Sequence, residues 1–180
     1  GAELYYMPLQ KENDYVIQLQ DIPEEIARKA KFMLVSYPNN PTAAMAPESF
    51  YHEVVAFAKK YDIIVLHDNA YSELVFDGQS CGSFLSIPGA MEVGVEFNSL
   101  SKTYSITGWR IGYVIAPPEI TERVKKVHDF LTIGAAAPLM EAVVVGLNFG
   151  DEYYEELQQH YTHMKDLFCG GLRDIGLSFV

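Results

Sequence analysis

The sequence predicts an α/β protein, built in three layers around a mostly parallel β-sheet. Two observations lead to this class: short apolar runs with strand composition, and a segment of helical periodicity between the first two runs. Strand, helix and strand in this order are typical of a parallel sheet with helices on its faces. The chain has 180 residues and is 49% hydrophobic, which suffices for a sizeable core.

The first strand and the helix after it are the clearest elements. Residues 31–37, KFMLVSY, form a short apolar run that stops at the prolines of PNNPT, because proline removes ladder donors. Residues 47–61 carry apolar side chains at helical spacing. Glu48 lies in the first turn of this helix, and Lys59 and Lys60 lie in the last, an order that suits the helix dipole.

Three further strands follow along the chain. Residues 62–67, DIIVLH, are continuously apolar, as in a strand covered on both faces, and the run ends at Asp68. Residues 93–97 form the next strand, in which valine and phenylalanine alternate with glycine and glutamate, and residues 110–116 form the last. Helices are predicted over residues 118–132, 138–149 and 151–169.

Charge and cysteine content exclude several classes of function. The formal net charge is -11, and lysines and arginines occur in no run longer than a pair, which disfavours nucleic acid and anionic membranes as partners. Cys81 and Cys169 match no metal-binding or redox spacing, and no metal site is predicted. We expect two reduced thiols in a cytoplasmic protein, without a membrane-spanning run.

Polar residues follow three of the predicted strands. Asn40 comes after the first, Asp68 ends the second, and the cluster from Ser99 to Lys102 follows the third. Ligands of open α/β sheets bind beyond the carboxyl ends of the strands. We therefore expect these three stretches to converge on one crevice.

Lys102 could be a surface lysine, a phosphate clamp or a covalent catalyst. The dipeptide Lys102-Thr103 resembles the end of a nucleotide-binding P-loop, but Ser101 and Glu96 stand where that motif needs glycines. A backbone cradle for phosphates is therefore not predicted. As a covalent catalyst, a lysine must lose its proton, which burial and a neighbouring cation such as Arg110 favour.

The residues around Lys102 suit a phosphate dianion. Ser99, Ser101 and Arg110 offer hydroxyl and guanidinium donors. A reactive lysine beside a phosphate site points to pyridoxal 5′-phosphate, whose ring nitrogen needs a carboxylate partner to stay protonated. Asp68 is the candidate for that carboxylate.

Three stretches of this sequence resemble the signature blocks of the class I/II aminotransferases, which are fold type I pyridoxal-phosphate enzymes. The blocks are SYPNNPT, HDNAYSELVFDG and NSLSKTYSITGWRIGY, and the resemblance extends over nearly the whole chain. It implies that Lys102 forms a Schiff base and shuttles a proton, and that Asp68 pairs with the ring nitrogen. Cofactor contacts are implied for the following residues: Asn40 and Tyr71 at the phenolic oxygen, and Ser99, Ser101 and Arg110 at the phosphate.

The resemblance also implies a domain organisation. Residues 1–150 match the central part of the large cofactor-binding domain, and residues 151–180 match the helix that leads into a small C-terminal domain, which is mostly absent. The family transfers an amino group from an amino acid to a 2-oxo acid, and its members form homodimers. Two alternatives stay open: a β-eliminating carbon-sulfur lyase, and a non-catalytic sensor domain of a transcription regulator.

Overall fold

The computed structural model describes residues 1–179 and has a four-stranded sheet at its centre. The strands are β1 (Phe32–Ser36), β2 (Ile64–Asp68), β3 (Gly94–Ser99) and β4 (Gly112–Ile115), in the spatial order β1-β2-β3-β4. β1, β2 and β3 are parallel, and β4 pairs with β3 in the antiparallel sense. The predicted α/β class with a mostly parallel sheet is confirmed.

Residues 1–179 also form six α-helices. The predicted helices are found within about half a turn of their expected bounds, except the last, which is longer. Two short helices, one before β1 and one directly after β3, were not predicted. The helices are α1 (Glu24–Lys29), α2 (Glu48–Tyr61), α3 (Leu100–Thr103), α4 (Pro118–Leu131), α5 (Ala137–Leu147) and α6 (Asp151–Asp174).

Helix α6 continues past Gly170 and Gly171, where the sequence analysis ended it near residue 169. A glycine inside a helix costs about 1 kcal/mol, which is too little to terminate a long helix. Gly176 provides the stop, since its φ of 79° is left-handed and the Leu177 N–H donates to the Leu172 carbonyl at 3.0 Å. Of the helices formed by residues 1–179, none combines the length and apolar character needed to cross a membrane.

The main core lies between α2 and one face of the sheet. Buried side chains of α2 pack against buried side chains of β1 and β2 and against Phe84, which lies in the connection from β2 to β3. The other face is more open, because Phe32 is 63% exposed and Leu34 is 61% exposed. The continuously apolar β2 was expected to be covered on both faces, but its Ile64 and Leu66 are only half-buried.

The turn before β4 changes where that strand begins. Arg110 has a φ of 57°, which is left-handed and takes it out of the extended conformation, so β4 starts at Gly112 rather than at the predicted residue 110. Gly112 pairs with Ser99 across the ladder. A Cβ on Gly112 would lie 2.6 Å from the Asn98 carbonyl oxygen, so this position needs glycine.

We predict that Gly112→Ala destabilises the protein by about 1–3 kcal/mol, because the added methyl group meets a backbone carbonyl that can move only with β3. The measurement is the free energy of unfolding in urea. Gly108→Ala is the matched control, since a Cβ on Gly108 has no heavy atom of the described residues within 4 Å. Equal stability of the two variants would contradict the prediction.

Candidate functional site

The carboxyl ends of β1, β2 and β3 lie at the same edge of the sheet. Ser36 is in register with Asp68, and Asp68 is in register with Phe97. The loops after these strands therefore start side by side. This arrangement carries the three polar stretches that the sequence analysis expected to converge.

Three of the predicted site residues are in contact at this edge. The Asn40 side-chain amide donates a hydrogen bond to the Tyr71 hydroxyl at 3.0 Å. The Lys102 Nζ lies 5.6 Å from the centroid of the Tyr71 ring, within the range of a cation–π interaction. Tyr71 thus joins the loop after β1 to the segment after β3.

Lys102 lies on α3, a single helical turn that follows β3 directly. It is half-buried, and Ser101 beside it is buried. The Ser101 carbonyl accepts a hydrogen bond from the Thr107 hydroxyl at 3.3 Å, which ties α3 to the following turn. Ser99 precedes α3, and its side chain makes no capping hydrogen bond within the described part of the chain.

Arg110 and Asp68 stand apart from the three residues in contact. Arg110 is exposed, and its Nη1 donates to the Thr107 carbonyl at 3.0 Å. A guanidinium has five N–H donors, so others remain for an anion. Asp68 is half-buried, and its Oδ1 accepts from the Ala70 N–H at 3.3 Å.

The sequence analysis missed a buried polar cluster below this edge, which we call the Glu96 network. Glu96 is 2% exposed and His67 is 0% exposed. Next to the buried Glu96 in β3, the apolar Phe97 is exposed. The available signal was a glutamate inside an apolar strand, in VGVEF.

Four side chains donate hydrogen bonds to the Glu96 carboxylate. One oxygen, Oε2, lies 3.1 Å from His67 Nδ1 and 2.8 Å from the Ser83 hydroxyl. The other, Oε1, lies 3.3 Å from the Asn69 amide and 3.2 Å from the Asn98 amide. A carboxylate only accepts, so His67 carries a proton on Nδ1.

These donors determine the ionisation of Glu96. Burial by itself raises the pKa of the carboxyl group, but the hydrogen bonds from His67, Ser83 and Asn98 outweigh burial and lower the pKa from its ordinary 4.5 to about 2. Glu96 is therefore a carboxylate at neutral pH. Its negative charge holds the ends of β2 and β3 through hydrogen bonds that are charge-assisted.

Helix α6 reaches the segment that carries Lys102. The Tyr153 hydroxyl donates to the Thr103 carbonyl at 2.7 Å, and the hydroxyls of Tyr104 and Tyr154 lie 2.9 Å apart. Burial, followed by the hydrogen bond with Tyr154, raises the pKa of Tyr104. The backbone after Lys102 is thus held by tyrosines from a distant part of the chain.

The fold and these contacts can be compared with known proteins. All of the chain, residues 1–180, matches the family described as aminotransferase class I and II. The chain belongs to this family. The family expected from the three sequence blocks is confirmed.

Individual known proteins resemble the chain along almost all of its length. An LL-diaminopimelate aminotransferase of Syntrophobacter fumaroxidans is 44% identical over 98% of this chain and 46% of that protein. Substrate-bound BacF from Bacillus subtilis has a TM-score of 0.91 at 37% identity, over 96% of this chain and 44% of that chain. An aromatic aminotransferase from Pyrococcus horikoshii OT3 has a TM-score of 0.86 at 26% identity, over 97% of this chain and 47% of that chain. The chain thus spans under half the length of these three proteins.

We predict that the Glu96 network makes the free energy of unfolding depend on pH in the acid range. The folded protein keeps Glu96 ionised down to about pH 2, whereas the unfolded chain takes up the proton near 4.5. A group with a depressed pKa stabilises the fold above its unfolded pKa and loses this contribution as the pH falls. The difference in unfolding free energy between wild type and Glu96→Gln should therefore shrink from pH 5 to pH 2, as measured by urea titrations at about six pH values.

Glu53→Gln is the control for this measurement, because Glu53 is an exposed glutamate on α2 and lies outside the network. It makes the same chemical change at the surface. A difference between wild type and Glu96→Gln that stays constant through this pH range would contradict the assignment of a buried, ionised carboxylate.

Proposed function

We propose that this chain forms the cofactor-binding core of a pyridoxal-phosphate-dependent aminotransferase, which transfers an amino group from an amino acid to a 2-oxo acid. The observation that carries the proposal is the contact among Asn40, Tyr71 and Lys102 at the carboxyl edge of the sheet. These residues come from the three sequence blocks that resemble the family. Membership of the class I and II aminotransferases supports the same function.

The residues at this edge fit the chemical groups of pyridoxal 5′-phosphate. Lys102 supplies the amine that bonds to the aldehyde carbon, and Asp68 supplies a carboxylate for the ring nitrogen. The Tyr71 hydroxyl and the Asn40 amide supply donors for the phenolic oxygen. The hydroxyls of Ser99 and Ser101 and the guanidinium of Arg110 would hold the phosphate.

Each side chain then has a defined task in the reaction. When bound, the cofactor supplies an electron sink for the pair released at the substrate α-carbon. The Nζ of Lys102 would hold the cofactor and, once free, would accept the proton at the substrate α-carbon and return it. The carboxylate of Asp68 keeps the ring nitrogen protonated.

Assembly and location are part of the proposal. By analogy with the family, we propose a homodimer in the cytoplasm, with amino acids and 2-oxo acids as its small-molecule partners. The S. fumaroxidans relative is named for LL-diaminopimelate, so this amino acid is the first donor to test.

We predict that Lys102 bonds covalently to the cofactor. Pyridoxal 5′-phosphate added to the full-length protein should give the visible absorbance of lysine-bound cofactor, and borohydride should fix the cofactor to the peptide that contains Lys102. Lys102→Ala should lose both signals, because the substitution removes the amine that forms the bond. Mass spectrometry of the reduced protein makes the measurement.

Lys126→Ala is the matched control, since Lys126 is an exposed lysine of α4. It should keep the absorbance and the covalent adduct. An adduct that persists in Lys102→Ala would contradict the assignment of the lysine.

We predict that the full-length protein transfers amino groups only when a 2-oxo acid is present. The assay follows the new amino acid formed from 2-oxoglutarate, with LL-diaminopimelate and a panel of other amino acids as donors. Amino acids with a β-sulfur substituent test the alternative chemistry. Release of pyruvate and sulfide from them, without any need for an oxo acid, would instead support the carbon-sulfur lyase.

A further inference from the structure

We infer that Glu96 is a positioning residue for the cofactor site, because its buried carboxylate holds the backbone on both sides of Asp68 and the residue before Ser99. This inference rests on the proposed function. The carboxylate touches none of the residues assigned to the cofactor. It acts through the neighbours of two of them.

The Glu96 network holds the end of β2. His67 and Asn69 flank Asp68, and both donate to Glu96, at 3.1 Å and 3.3 Å. Successive side chains of a strand point to opposite faces, so the flanking residues reach into the interior while Asp68 points away from it. The Asn69 N–H also donates to the Phe97 carbonyl at 2.9 Å, which continues the ladder past the end of β2. The backbone of Asp68 is therefore fixed on both sides.

The Glu96 network also holds the end of β3. The Asn98 amide donates to Oε1 of Glu96 at 3.2 Å, the same oxygen that accepts from Asn69. Asn98 directly precedes Ser99 and α3. One oxygen atom thus joins the end of the strand that carries Asp68 to the end of the strand that leads to Lys102.

The buried Glu96 carboxylate destabilises the fold unless its hydrogen-bond donors are all present. A buried carboxylate loses its hydration, and that loss is offset here by four donors rather than by one ion pair. Replacing Glu96 with glutamine keeps the shape but puts an amide N–H₂ against donors, so at least one hydrogen bond is lost. An apolar residue at this position would fill the space, but it could not align two strand ends.

The donors also provide an internal comparison. Ser83 donates to Glu96 at 2.8 Å from the loop between β2 and β3, and it flanks none of the proposed cofactor residues. Ser83→Ala therefore tests how much the network contributes to stability. Asn98→Ala tests the link from the network to Ser99.

The experiment measures the Kd for pyridoxal 5′-phosphate and the absorbance band of the saturated complex in full-length wild type, Glu96→Gln, Asn98→Ala, Ser83→Ala and the surface control Glu53→Gln. Thermal unfolding of each apo-protein gives its stability, and binding is measured well below the lowest Tm. Glu96→Gln and Asn98→Ala should raise the Kd about tenfold, the effect of misplacing one charge-assisted contact, and Glu96→Gln should also alter the band. Ser83→Ala should lower the Tm and leave both the Kd and the band near those of wild type.

Two results would overturn the inference. One is a folded Glu96→Gln with the Kd and band of wild type. The other is equal weakening of binding by Ser83→Ala and Asn98→Ala, which indicates general destabilisation. Should Glu96→Gln fail to fold, the comparison of these two variants decides. Absence of the absorbance band in wild type and Glu53→Gln alike removes the proposed function itself, and this inference with it, so the two failures are distinguishable.

Discussion

The parallel register of β1, β2 and β3 is the constraint on which the candidate site depends. Parallel strands emerge at one edge, so residues far apart in sequence begin their loops as neighbours. Ser36, Asp68 and Phe97 lie at one level of the sheet. Tyr71 can contact Asn40 and Lys102 because each of the three lies only three to five residues after one of these aligned strand residues. A change of register in any strand would separate them.

The register fixes the edge, but it does not fix the last residues of each strand. The register between β2 and β3 ends at Asp68 and Phe97, and side-chain hydrogen bonds hold the backbone there in addition. In this chain the buried carboxylate of Glu96 orients the ends of β2 and β3 through hydrogen bonds. Apolar side chains in its place could stabilise the core, but they could not orient the backbone in this way. Aromatic rings pack around His67, which donates to this carboxylate. The centroid of the His67 ring lies 5.4 Å from that of Tyr51 and 5.9 Å from that of Phe84. These rings exclude water, and exclusion of water strengthens each hydrogen bond to the charge.

The sequence was sufficient to predict the strands and most helices, because apolar runs and helical spacing report directly on burial. Convergence of Asn40, Tyr71 and Lys102 was predictable as well, since it needs only strand ends and a parallel sheet. The burial of Glu96 was not predictable from alternation. Its donors lie on other segments, and only the folded chain brings Ser83 and Asn98 to it. The left-handed Arg110 was missed for a similar reason, as no local pattern distinguishes it from the start of a strand. The roles assigned to individual cofactor contacts remain predictions.

Helix α6 also holds segments next to the candidate site. Besides the contact of Tyr154 with Tyr104, three of its side chains contact segments near the site. Tyr153 donates to the Thr103 carbonyl, Gln158 donates to the Gln79 carbonyl at 3.0 Å, and Lys165 binds Asp77 at 2.7 Å. Twelve residues separate the first from the last, so these contacts span about 18 Å of helix. Ion pairs as exposed as that of Asp77 add little stability. Their effect is therefore geometric: the segments that follow Tyr71 and Lys102 are both held by one helix, so neither can shift relative to the other without breaking a contact with α6.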